Sequence, residues 1–167
     1  MQTPMPALSG GQRRYALQPT LDQMAALPTR AIIQMRQGGV IELELLTNQA
    51  PVSVARFVEL VKARHYHGLT FHRVVPNFVV QGGSPGANEY SGDHRYWRDE
   101  PSTEPHTRGA VGISTRGRDS GDGQIFIDLV DLPRLDHDYT VFARVIAGLD
   151  VVDRIVEGSV ITGITLR

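Results

Sequence analysis

Apolar and polar residues alternate with a period of two along two stretches near the start of the chain. Ala31-Ile32-Ile33-Gln34-Met35 and Val40-Ile41-Glu42-Leu43-Glu44-Leu45-Leu46 each read as a strand. Gly38-Gly39 supplies the turn, so the pair predicts a hairpin. The period then lengthens. Val54, Phe57, Val58 and Val61, with Leu60 alongside, fall on one stripe of a helix that runs from Asn48-Gln49-Ala50-Pro51 to about Ala63. Pro51 suits the start, because a first-turn amide has no intrahelical partner to lose. Gly68 ends the link out of this helix.

An apolar run follows, Phe71-His72-Arg73-Val74-Val75-Pro76-Asn77-Phe78-Val79-Val80-Gln81-Gly82-Gly83-Ser84-Pro85. Arg73, Val75, Asn77, Val79 and Gln81 share one parity and point to one side of a strand, unless Pro76-Asn77 breaks the register. Residues 86–107 are polar and turn-rich, a long excursion with room for one short strand. Strands are predicted over 109–114, 124–129, 138–145 and 161–166, a loop over 116–123, and an amphipathic helix over 149–156. Many short strands with two or three helices predict a mainly β fold: a closed or nearly closed antiparallel barrel with its ends covered by helices. The regular strand–helix alternation of a doubly wound sheet is absent. The first 28 residues read as an extension or linker, with room for a short helix from Pro19 onward, where Leu17, Leu21, Met24 and Leu27 recur every three or four positions. Residues 29–167 read as one domain.

Composition narrows the function classes. Seventeen basic and 18 acidic side chains give a formal charge of −1, so nothing points to nucleic acid or an anionic membrane surface. There is no cysteine, which removes disulfides, thiolate catalysis and cysteine-ligated metal. No apolar run is long enough to span a bilayer, and no leader is visible, so the cytoplasm is the default compartment. No cofactor is implied, and a monomer is expected.

Candidate chemistry concentrates in the apolar run. An arginine fork and an amide beside Phe78 and Val79 suit a ligand that is both apolar and rich in carbonyls. Other constellations are weaker. His65, His67 and His72 lack the acid or thiol that would complete a zinc site. Asp119-Ser120-Gly121-Asp122-Gly123 lacks the spacing and terminal glutamate of a calcium loop. Ser114 has no histidine–acid pair for hydrolysis. Asp128, Asp131, Asp136 and Asp138 read as solvated faces and turn caps.

Three motifs in order give a family resemblance from about Ala31 to Leu166: Phe71 to Pro76 with Phe78 and Gln81-Gly82-Gly83; the glycine-rich loop before Gln124-Ile125-Phe126-Ile127; and Leu135-Asp136 before Tyr139-Thr140-Val141-Phe142-Ala143-Arg144-Val145. Together they resemble the cyclophilin-type peptidyl-prolyl isomerases, of a bacterial kind. The resemblance implies a closed eight-stranded antiparallel barrel capped by two helices, with the proline site on its outer face. It implies Arg73 as the catalytic arginine and Gln81 beside it near the substrate backbone, either donating to the carbonyl that precedes the proline or orienting Arg73. It places Phe78, Val79, Phe126 and Leu135 around the prolyl ring, and Gln124, Tyr139, Ser114 and Thr115 along the substrate groove. The implied partners are proline-containing peptides and unfolded or folding proteins. The sequence departs from the best-known eukaryotic pattern at Val79 (methionine there), Thr115 (asparagine), Arg134 (tryptophan) and Tyr139 (histidine). The lost tryptophan argues against tight binding of the cyclic immunosuppressant peptide. A proline-peptide-binding module with little or no turnover is the alternative reading.

Overall fold

The computed structural model describes residues 14–167; the linker reading of the first dozen residues lies outside the described residues. Eight strands close into a barrel: β1 (Arg30–Met35), β2 (Val40–Leu45), β3 (Thr70–Val75), β4 (Val79–Gly82), β5 (Ala110–Ile113), β6 (Ile125–Asp128), β7 (Val141–Ala147) and β8 (Ser159–Leu166). Around the barrel the order is β1-β2-β7-β5-β6-β4-β3-β8, and every neighbouring pair is antiparallel. Closure leaves no free sheet edge.

The alternation read from the sequence is the alternation of the barrel wall. Ala31, Ile33 and Met35 of β1 and Ile41, Leu43 and Leu45 of β2 are buried, and the residues between them are more exposed. Helix α2 (Pro51–Lys62) adds Val54, Phe57, Val58 and Leu60 to the same core. The Phe57 ring lies 5.5 Å from Tyr66 and 5.1 Å from Phe142. Burial of each such side chain contributes roughly 1.5–3 kcal/mol. Helix α3 (Leu149–Asp153) adds Val151 and Val152. Among the described residues no helix is long and apolar enough to cross a membrane.

The structure differs from the sequence expectations in three places. The signature run is a hairpin, β3–β4, because Pro76 and Asn77 reverse the chain; Asn77 sits at φ 57° and the Phe78 amide donates to the Val75 carbonyl at 3.1 Å. Proline followed by a residue tolerant of positive φ is the pair a tight turn of this kind favours. The 86–107 excursion holds two isolated bridges, Tyr96 with Tyr15 and Trp97 with Gly121, in place of a strand. Helix α1 (Leu21–Ala25) forms as expected, started by a capping box of Thr20 and Gln23. Yet Leu17 and Leu21 are exposed, and only Met24 and Leu27 turn inward.

Candidate active site

The β3–β4 hairpin sets the site by register. Arg73 stands opposite Gln81 on β4, Gln81 opposite Phe126 on β6, and Phe126 opposite Gly112 on β5. Directly opposed residues share a face of the sheet. The adjacent row, Val74, Val80, Ile127 and Val111, belongs to the barrel core. The Arg73–Gln81–Phe126 row therefore lies on the outer wall. Gly112 ends this row because the Phe126 ring occupies its place: a Cβ there would lie 2.3 Å from Cζ of Phe126.

The polar half of the site is a chain of hydrogen bonds. Arg73 Nη1 donates to Gln81 Oε1 at 3.2 Å, and Arg73 Nε lies 3.3 Å from a Glu89 carboxylate oxygen. Gln81 Nε2 donates to Ser114 Oγ at 2.9 Å and to Gln124 Oε1 at 2.8 Å. Both amide protons of Gln81 are thus spent inside the protein. Gln124 Nε2 donates in turn to the carbonyls of Ser91 (2.8 Å) and Asn88 (3.2 Å). Arg116, paired with the buried carboxylate of Asp122, donates to the Glu89 carbonyl at 2.7 Å. The loop that carries Glu89 is therefore tied down from two sides.

The apolar half is a cluster separate from the barrel core. Val79, Phe126 and Leu132 are buried, and Phe78, Val130, Leu135 and Tyr139 pack against them. Tyr139 meets Phe126 edge-on at 5.8 Å. Behind Phe126, His106 stacks nearly parallel at 5.7 Å, and its Nδ1 lies 2.8 Å from Asp128 Oδ2. His106 and Asp128 are both fully enclosed. Burial pushes the Asp128 carboxyl above the usual carboxylate range, against the pull of His106. Asp128 is thus no solvated face: both sides of β6 are covered. Asp131 and Asp136 do bond backbone amides, as turn caps would, those of Arg108 and His106.

Between the two halves lies a pocket of about 200 Å³. It is lined by Arg73, Phe78, Val79, Gln81, Ser114, Thr115, Phe126, Leu135 and Tyr139, nine of the ten residues singled out in the sequence. Gln124 stands behind Gln81 and does not line it. Glu89 lines it and was not foreseen, because it comes from an excursion with no periodic signal. A larger cleft of about 660 Å³ lies between Ala16–Pro28 and α2, away from this arginine–amide constellation.

These features place the chain among closed antiparallel barrels that carry a small pocket on the outer wall, half apolar and half arginine and amide. The family model described as cyclophilin type peptidyl-prolyl cis-trans isomerase/CLD matches residues 31–164, and the chain belongs to that family. It is 41% identical over 130 residues to a peptidyl-prolyl cis-trans isomerase of Helicobacter pylori, covering 75% of this chain and 80% of the relative. It is 38% identical over 128 residues to peptidyl-prolyl cis-trans isomerase B of Bacillus subtilis, covering 75% and 90%. A cyclophilin type isomerase of Cryptosporidium parvum has the same fold, with a TM-score of 0.78 at 23% identity over 84% of this chain and 98% of that one.

Proposed function

We propose that the chain accelerates rotation about X-Pro peptide bonds by holding the twisted amide more tightly than the planar one, with no covalent intermediate. Such a bond rotates over a barrier of about 18–20 kcal/mol because rotation breaks amide resonance. In the twisted state the prolyl nitrogen recovers a lone pair that a cation can bond. The planar amide offers no such acceptor, so a guanidinium placed there stabilises the transition state selectively.

Arg73 is the group suited to this. The observation that carries the reading is its double anchorage beside the pocket, by Gln81 and by Glu89. Those contacts engage Nη1 and Nε and leave Nη2 to donate to a substrate. Phe78, Val79, Phe126, Leu135 and Tyr139 would hold the prolyl ring while the preceding carbonyl swings. Gln81, with both amide protons committed, acts as a positioning residue for Arg73. Gln124 positions Gln81 and the Glu89 loop, and Ser114 and Thr115 line the peptide's path. Substrates are proline-containing peptides and unfolded or folding proteins, with residues 29–167 as the isomerase domain and 1–28 as an extension.

Two-dimensional exchange NMR on an Ala-Pro-Phe peptide tests this. Wild type should speed cis/trans exchange, and Arg73→Ala should cost about 2–4 kcal/mol of transition-state stabilisation, roughly 30- to 1,000-fold in rate. Near-normal turnover in a folded Arg73→Ala protein would overturn the role of Arg73. Binding shifts without faster exchange in wild type would identify a peptide-binding module.

A further inference from the structure

Phe78 lines the pocket, and two guanidinium groups flank its ring. Cζ of Arg73 lies 5.8 Å from the ring centroid and Cζ of Arg134 lies 4.5 Å from it. The charges at this rim do not cancel. Arg73 has the Glu89 carboxylate beside it, and Arg116 has Asp122. Arg134 has no carboxylate at ion-pair distance among the described residues. The acids of its own loop are turned elsewhere. Asp131 Oδ1 accepts from the Arg108 amide at 2.8 Å, and Asp136 Oδ1 accepts from the His106 amide at 2.7 Å. Asp138 is exposed and forms no ion pair with Arg134.

The Arg134 side chain is exposed to solvent and reaches the Phe78 ring from a locally held backbone. It sits in a 3-10 turn, Pro133–Leu135, whose last residue lines the pocket. A guanidinium resting on an aromatic ring keeps its N–H fork free to meet a carboxylate. An extended peptide advances about 3.3 Å per residue, so a side chain one or two positions from a bound proline can reach the far side of Phe78.

We infer that Arg134 is a specificity-determining residue, and that the enzyme selects proline peptides carrying an aspartate or glutamate within about two residues of the proline. This rests on the isomerase reading above. With the prolyl ring in the pocket, the flanking carboxylate pairs with Arg134 and supplies the counter-charge that this rim cation lacks among the described residues.

The test compares peptides bearing Glu, Gln or Lys at each of the two positions before and after the proline. Exchange rates are measured with wild type, Arg134→Gln and Arg134→Glu. At one or more positions wild type should favour the Glu peptide over the Lys peptide in kcat/KM by about two- to fivefold at low salt, the range an exposed ion pair spans. The ratio should fall toward one in Arg134→Gln and at about 0.5 M salt, and invert in Arg134→Glu. A flat ratio at every position in wild type, or a preference that persists in both variants, overturns the inference. The Gln peptides report the isomerase separately. If they are accelerated and the ratio is flat, only the specificity falls; if no peptide is accelerated, the isomerase reading falls and the inference with it.

Discussion

A methyl group added at position 112 would lie 2.3 Å from Cζ of Phe126, well inside the van der Waals surface of the ring. Gly112 has no need of a positive φ, so alanine suits its strand backbone, and the three nearest atoms its methyl would meet all belong to the Phe126 ring. Phe126 cannot recede, because His106 stacks behind it and Tyr139 meets its edge. It must shift within the pocket it helps to line. Gly112→Ala is therefore expected to lower kcat/KM about ten- to hundredfold, the scale on which misplacement by an ångström acts. Tryptic resistance and the unfolding midpoint should show a folded protein. Undiminished turnover would mean that Phe126 can slide without loss of the binding geometry. The same row shows why Arg73 and Gln81 were legible before the structure. Their parity was right, although they meet across a hairpin and not along one strand.

Helix α2 begins without a side-chain cap of its own, since Ala50 offers none. Glu100 takes that place from the distant excursion: its two oxygens accept from the amides of Val52 (3.0 Å) and Ser53 (2.6 Å). Its own amide donates to Thr140 Oγ1 at 2.8 Å, which holds the loop in position. A carboxylate here satisfies orphan donors and faces the positive end of the helix dipole. Glu100→Ala should lower stability by about 1–2 kcal/mol, and Glu100→Gln by about half as much, because the amide keeps one acceptor but not the charge. Urea unfolding measures both; equal midpoints for wild type and Glu100→Ala would show that water serves those amides equally well. The helix itself was legible, because its apolar stripe is local. Its cap was not, because Glu100 and Ser53 are brought together only by the fold. Glu89 escaped notice for the same reason. Asp128 was misread because a sequence shows that one face of a strand is apolar, not that a histidine and a ring cover the other.

Acid stability belongs to the whole barrel. His65 lies in the link between α2 and β3 and His72 lies within β3, and burial lowers the pKa of both below the ordinary imidazole value. For His65 the contact of Nε2 with the Gly83 carbonyl, 3.1 Å, pulls the other way but does not win. In the unfolded chain both rings protonate near the ordinary value of about 6.5. As pH falls from there the unfolded state takes up protons first, so the stability these groups contribute is complete above about pH 6.5 and is lost as pH drops through their lowered folded values. Asp128 has the opposite sign. Burial raises its pKa, so on acidification the folded state takes up that proton first and is favoured by it. Wild type should thus unfold at lower urea concentration at about pH 5 than at about pH 7.5. A His65→Gln, His72→Gln double variant removes the falling component and keeps Asp128. Its midpoint is expected to change less over the same interval, or to rise slightly toward acid. A double variant that loses as much stability as wild type would place the acid sensitivity of this interval in other groups. The Glu59 carboxylate acts only at lower pH: burial pushes its pKa up, Arg56 and Arg95 together outweigh that and hold it below the ordinary value, so its contribution is intact above about pH 4.5 and is lost below it.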